Sequence, residues 1–223
     1  MKNIRKVNLS DRETFLYFNV SLIIALMSKP GLKVVSEEEI IRGCSAGNEI
    51  HFRLLYEKYY GKMINVCRRY TKSHDEARDM VQEGFIRVFK SIKQFKGDGS
   101  FEGWLRRIMI NTCINYYNRY SKKEKETVEY VDHLKLTNHE NISENNFDKE
   151  LGHVLQNSDS EFLLKLISEL PPSFRITFNL HEIEGYSYAE IASRLQITES
   201  AVRSYLVKAR QKLQQMIHTT QKI

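Results

Sequence analysis

The chain has 223 residues, room for one large domain or two small ones. Hydrophobic residues make up 41% and charged residues 28%, a balance that suits folded domains and excludes wholesale disorder. Ten glycines and three prolines exclude collagen-like and proline-rich chains, count against turn-rich all-β folds and favour helices; the net charge of +6 fits either a polyanionic partner or a plain solubility preference.

The stretch Phe15–Met27 (FLYFNVSLIIALM) is the only one that invites a membrane reading. It falls short of the roughly 20 apolar residues that span a bilayer. Asp11 and Glu13 precede it and Lys29-Pro30 follows it, the wrong flanks for a signal peptide. Residues 1–35 therefore read as an N-terminal extension, either an extra packed helix or a flexible tail. A third reading is that the residues ahead of Met27 are not made in the cell, since Met27 opens a plausible alternative start (MSKPGLKVVSEEEII). No direct membrane insertion is expected.

From Ser36 onward the pattern is helical. Ser36 followed by Glu37, Glu38 and Glu39 supplies an N-cap and acids at the positive end of a helix dipole. Three apolar series then recur at helical spacing. The first is Phe52, Leu55, Tyr56, Tyr59, Met63, Val66, Cys67 and Tyr70. The second is Ala77, Met80, Val81, Phe85, Val88, Phe89 and Ile92. The third is Phe101, Leu105, Ile108, Met109, Cys113, Tyr116, Tyr117 and Tyr120. Three stripes of period 3.6 in one block predict a helical bundle. Lys96-Gly97-Asp98-Gly99-Ser100 separates the second and third as a tight loop ending in a serine cap.

Glu126–Glu161 carries nine acids against two lysines, is rich in asparagine and holds no sustained period, which reads as an acidic linker. Positive charge is thereby concentrated elsewhere. Leu170-Pro171-Pro172 stops one helix and starts another, which runs to Gly185. Ser187-Tyr188-Ala189-Glu190 is a capping box that opens a short helix to Leu195. Gln196-Ile197-Thr198 turns the chain, and Thr198 caps a last helix whose buried stripe is Val202, Leu206, Ala209, Leu213 and Ile217.

Short helix, tight turn and longer helix near the end of a basic chain is the helix-turn-helix pattern. Residues 201–223 hold five basic residues and no acid. Ser200, Arg203 and Val207 share a face of the last helix, with Ser204 and Lys208 beside it. Arg203 suits base edges, while Lys208 and Arg210 suit phosphates. The plainer alternative is a helical hairpin with a solvated cationic face. Gln196 occupies the turn position often held by glycine, where a left-handed conformation is costlier.

These segments resemble the group IV, or extracytoplasmic function, sigma factors of the sigma-70 family. Asp75–Phe89 (DEARDMVQEGFIRVF) and Phe95–Leu105 (FKGDGSFEGWL) are similar to the family's region 2. Leu170–Arg175, Glu184–Ala192 and Ala201–Arg210 are similar to its region 4. Gln196, Tyr205 and Asn115 depart from the family's commoner residues. The resemblance implies an all-α fold of two small helical domains, region 2 over 36–122 and region 4 over 161–218, joined by the acidic linker 123–160.

It further implies a non-enzymatic, cytoplasmic transcription initiation factor. Core RNA polymerase, promoter DNA and an anti-sigma factor are its expected partners. Asp79, Gln82, Glu83 and Arg87 would grip the polymerase, their alternative being an ordinary solvated face. The −10 element would be opened by Lys96, Ser100, Trp104, Arg107, Asn111, Asn115 and Arg119, an aromatic, cationic and amide set suited to single strands, with the cationic tail Arg119, Lys122, Lys123 and Lys125 holding phosphates. Trp104 has simple core packing as its alternative reading. The −35 duplex would be read by Ser200, Arg203, Ser204, Lys208 and Arg210. A stand-alone helix-turn-helix regulator is the competing function.

Nothing in the sequence marks catalysis or a cofactor. The seven histidines hold no metal-ligand spacing, and Cys44, Cys67 and Cys113 form no CxxC pair, so no metal and no disulfide framework are expected. No Walker loop or nucleophile elbow occurs.

Overall fold

A computed structural model of the chain describes residues 35–127 and 160–220, with side chains over 35–119 and 161–219. The stretch Phe15–Met27, most of the acidic segment and the side chains of Tyr120, Lys122, Lys123 and Lys125 lie outside the described residues. Among the described residues there is no strand, and the order is α1 (Glu37–Ser45), α2 (Glu49–Arg68), α3 (His74–Ser91), a 3-10 turn (Ile92–Gln94), α4 (Phe101–Thr127), α5 (Ser160–Glu169), α6 (Pro172–Phe178), a π-helical turn (Asn179–Ile183), α7 (Tyr188–Leu195) and α8 (Glu199–Thr220). No helix among them is long and apolar enough to cross a membrane.

The described residues divide into two compact units, one from residues up to Met63 and Val81–Ile108, the other from Ile64–Met80 and Met109 onward. In the first, Ser36 Oγ accepts from Glu39 N–H at 3.2 Å and starts α1 where the acids predict it. Leu55, Tyr56, Tyr59, Met63, Val81, Phe85, Val88, Phe101 and Leu105 are buried. Aromatic pairs join the helices: Tyr56 lies 4.7 Å from Phe85 and Tyr59 lies 5.7 Å from Phe101, ring centre to ring centre. Such pairs add about 0.5–1.5 kcal/mol each beyond area burial. Glu37 ties α1 to α2 by accepting from Lys58 Nζ at 2.8 Å and from the Tyr59 hydroxyl.

In the second unit, Cys67, Ala77, Met80, Met109, Cys113 and Ile114 are buried. The predicted third stripe is only partly right. Ile108, Tyr116 and Tyr117 are half-buried, whereas Ile110, Thr112 and Ile114, absent from that stripe, are buried. A single 3.6-residue stripe describes a helix covered from one side, and burial of five positions between Met109 and Ile114 means that α4 is covered around most of its girth. Farther along, Leu166, Ile167 and Leu170 of α5, Phe178 of α6 and Ala209, Leu213 and Ile217 of α8 form one apolar core. The helix begun at Pro172 passes into a π turn over Asn179–Ile183 before Gly185, whose φ of +73° ends it.

Candidate nucleic-acid interface

The helix-turn-helix is assembled by local hydrogen bonds that the sequence specifies. Ser187 Oγ accepts from Glu190 N–H at 3.3 Å, and the Glu190 carboxylate accepts from Ser187 N–H at 2.9 Å, closing the capping box. Bonds from the Ser187 N–H and the Ser187 hydroxyl to this carboxylate hold it below its usual range. Gln196 adopts φ +57°, ψ +45°, the left-handed conformation expected for this turn. Thr198 Oγ1 then accepts from Ala201 N–H at 3.2 Å and starts α8. Ile191, Ala192, Leu195, Val202 and Leu206 are buried and lock the two helices together.

This leaves Ser200, Arg203 and Val207 exposed on α8, with Ser204 and Lys208 half-buried beside them. The Arg203 side chain is 66% exposed, with its guanidinium 4.0 Å from Glu199 and 5.4 Å from the centre of the Tyr188 ring. Arg210 departs from the sequence expectation. Its guanidinium donates to Glu182 at 2.6 and 3.0 Å and only 14% of the side chain is exposed, so it ties α8 to the π turn rather than standing beside Arg203 and Lys208. Tyr205 lies 5.6 Å from Phe174, which gives that unusual residue a packing role.

The second candidate surface runs along α4. The loop before it is exposed from Lys96 to Ser100, with Gly97 and Gly99 at φ +84° and +94°, which side chains tolerate poorly. Ser100 Oγ accepts from Gly103 N–H at 3.0 Å, the predicted cap. Trp104 is half-buried and packs 5.6 Å from Phe95 and 5.5 Å from Phe101, so core packing and a partly open ring coexist. Arg107, Asn115 and Arg119 are exposed, and Arg119 Nε donates to Asn115 O at 3.3 Å. Asn111 is engaged: its Oδ1 accepts from Arg194 Nη1 at 3.0 Å.

Sequence periodicity missed the aromatic rings that hold the two arginines. Arg194 lies 4.4 Å from the centre of the Tyr186 ring, and Arg203 sits against Tyr188. The Tyr-Ser-Tyr run around the cap was the only available signal. It also missed a polar cluster at Arg69, where Asn179 Nδ2 donates to the Arg69 carbonyl at 2.7 Å and Glu184 pairs with the Arg69 guanidinium at 3.8 Å. His181 uses Nδ1 to meet the Tyr186 carbonyl at 3.0 Å, a structural role. Among the described residues no group of histidines, cysteines and acids is placed to hold a metal ion.

Family models decide what these surfaces belong to. Residues 55–123 match sigma-70 region 2 and residues 161–213 match sigma-70 region 4. The chain belongs to the sigma-70 family. Similar relatives place this sigma factor in the extracytoplasmic function group. The chain is 29% identical to the ECF RNA polymerase sigma-E factor of Escherichia coli (strain K12) over 181 residues, 79% of this chain and 92% of that protein. It is 27% identical to the sigma-E factor of Haemophilus influenzae over 186 residues, 82% of this chain and 96% of that one.

Among solved structures, CnrH in complex with the cytosolic domain of CnrY aligns over 81% of this chain and 96% of that one, at 20% identity and TM-score 0.39. RpoE of Bartonella quintana in complex with the anti-sigma factor NepR aligns over 75% and 96%, at 18% and TM-score 0.43.

A sigma factor binds core RNA polymerase and directs promoter-specific initiation, using region 2 for the −10 element and region 4 for the −35 element. In this one the residues expected to meet the polymerase lie on α3. Asp79 is exposed, and Gln82, Glu83 and Arg87 are half-buried. Arg87 Nε donates to Glu83 Oε1 at 3.0 Å, the i,i+4 pair that the spacing predicts.

Proposed function

We propose that this sigma factor divides promoter reading between two residue sets, one on α8 and the other on α4 with the loop that precedes it. On α8, Ser200, Arg203, Ser204 and Lys208 read and grip the −35 duplex. On α4 and the loop before it, Lys96, Ser100, Trp104, Arg107, Asn111, Asn115 and Arg119 receive the opened −10 strand. Asp79, Gln82, Glu83 and Arg87 dock on core polymerase. Arg210 has the smaller share, because Glu182 already holds its charge. The observation that carries this reading is Arg203, a cation on the open face of the second helix of a capped helix-turn-helix. A side chain so placed can reach base edges in the major groove.

The protein itself catalyses nothing in this reading. It works in the cytoplasm, and an anti-sigma factor restrains it. Run-off transcription with core polymerase tests the division of labour. Changing −35 base pairs should abolish the difference between wild type and Arg203→Ala, while changing −10 bases should abolish the difference between wild type and Asn115→Ala. Sensitivity of both variants to the same element would overturn the assignment.

A further inference from the structure

Arg203 is long and exposed, and its carboxylate neighbour among the described residues, Glu199, is 4.0 Å away and itself half-exposed. Left there it would sample many rotamers, and ordering it on DNA would cost side-chain entropy. The structure supplies a brace from the first helix of the motif. Tyr188 follows the cap Ser187 directly, and its ring centre lies 5.4 Å from the Arg203 guanidinium carbon. The Tyr188 ring has a neighbour of its own, the His181 ring, whose centre lies 4.8 Å away, tilted by 39°. His181 in turn is fixed by its 3.0 Å contact with the Tyr186 carbonyl and by the π turn that carries it. The wide turn thus aims an imidazole at a tyrosine, and the tyrosine meets the arginine.

We propose that Tyr188 is a positioning residue for promoter recognition, holding the Arg203 guanidinium over its ring so that it meets −35 base edges in one orientation. The proposal rests on the −35 role assigned above to Arg203. An exposed cation–π contact contributes on the order of 0.5–1 kcal/mol, which is about 2- to 5-fold in selectivity. The ring face is what acts, so phenylalanine should replace tyrosine and leucine should not.

The test is run-off transcription by the full-length protein with core polymerase over promoters carrying all four bases at each −35 position. Arg203→Ala should flatten the preference at particular base pairs. Tyr188→Leu should weaken the preference at those same base pairs by about 2- to 5-fold, Tyr188→Phe should retain it, and Tyr188→Leu added to Arg203→Ala should change nothing further. Equal loss at every promoter, or a changed preference at other base pairs, would overturn the positioning role. An Arg203→Ala variant with unaltered −35 preference would instead overturn the parent assignment. A second measurement does not depend on the leucine variant folding. In the wild-type protein, the Arg203 side-chain protons should show ring-current shifts in the NMR spectrum that persist in Tyr188→Phe, and unshifted resonances would contradict the brace.

Discussion

Arg194 on α7 donates from Nη1 to Asn111 Oδ1 on α4 at 3.0 Å, joining two residues 83 apart in the chain. The same arginine lies over Tyr186 at 4.4 Å, and its carbonyl accepts from Asn118 Nδ2 at 3.0 Å. Asn111 belongs to the set assigned to the −10 strand, so the bond occupies the carbonyl that would accept from a base. Arg194→Ala should therefore raise the affinity of the free protein for single-stranded −10 DNA by a few-fold, since a hydrogen bond of net ~1 kcal/mol no longer competes. Fluorescence anisotropy with a labelled oligonucleotide measures this, and weaker binding would contradict it.

Gln196 stands at φ +57° with an exposed side chain. The left-handed region costs a non-glycine residue about 1 kcal/mol or more. Gln196→Gly should stabilise the protein by roughly 0.5–1 kcal/mol, offset in part by the extra freedom of glycine in the unfolded chain. Chemical denaturation gives the number, and a lower midpoint would show that Gln196 makes a contact worth more than the strain.

Arg203 and Arg210 are both basic residues of α8, and their surroundings separate their effects. Arg203→Ala should weaken use of promoters with an intact −35 element by roughly 1–3 kcal/mol while leaving the melting temperature nearly unchanged. Arg210→Ala breaks a mostly covered ion pair with Glu182 and should lower the melting temperature while preserving −35 base preference. Thermal melting paired with run-off transcription distinguishes the two.

Glu37 predicts an acid-sensitive step. Hydrogen bonds from Lys58 and the Tyr59 hydroxyl, with the Lys58 charge, hold its carboxyl below the usual carboxylate range. A group whose pKa is depressed on folding contributes stability that is present above its unfolded pKa and is lost as pH falls through the folded value. Stability should therefore decline below about pH 4.5 in wild type and decline less in Glu37→Gln. Denaturation midpoints across that range test it, and parallel pH profiles would exclude Glu37 as a contributor.

All three cysteines are free and buried. Burial pushes the Cys44 thiol up to about 12, and the Cys113 thiol is raised by its hydrogen bond to Cys67 and by burial. The thiolate is the nucleophile, so Cys44 and Cys113 should not react with a thiol reagent at neutral pH, and burial keeps Cys67 out of the reagent's reach until the protein unfolds. Rapid labelling of the native protein would contradict this. The sequence suggested isolated thiols, and the Cys67–Cys113 contact arises only because α2 and α4 pack together.

What the sequence disclosed was local. Ser36, Ser100, Ser187 and Thr198 each cap the helix that their spacing predicts, because capping bonds reach only two or three residues. The one-sided stripe Val202, Leu206, Ala209, Leu213 and Ile217 was legible for the same reason, and all five are buried. What stayed hidden depends on partners distant in sequence. Burial of Ile110, Thr112 and Ile114, capture of Asn111 by Arg194 and the Arg210–Glu182 pair each need a second element brought alongside. The open face of Arg203 was predictable from α8 alone, whereas its aromatic support from Tyr188 was not.

The most direct measurement compares promoter-DNA affinity of the protein alone with that of the protein bound to core polymerase, on duplexes with intact and scrambled −35 and −10 elements. The expected result is little sequence preference for the free protein and strong dependence on both elements once the polymerase is present. Tight, sequence-specific duplex binding by the free protein, unchanged by polymerase, would contradict the account.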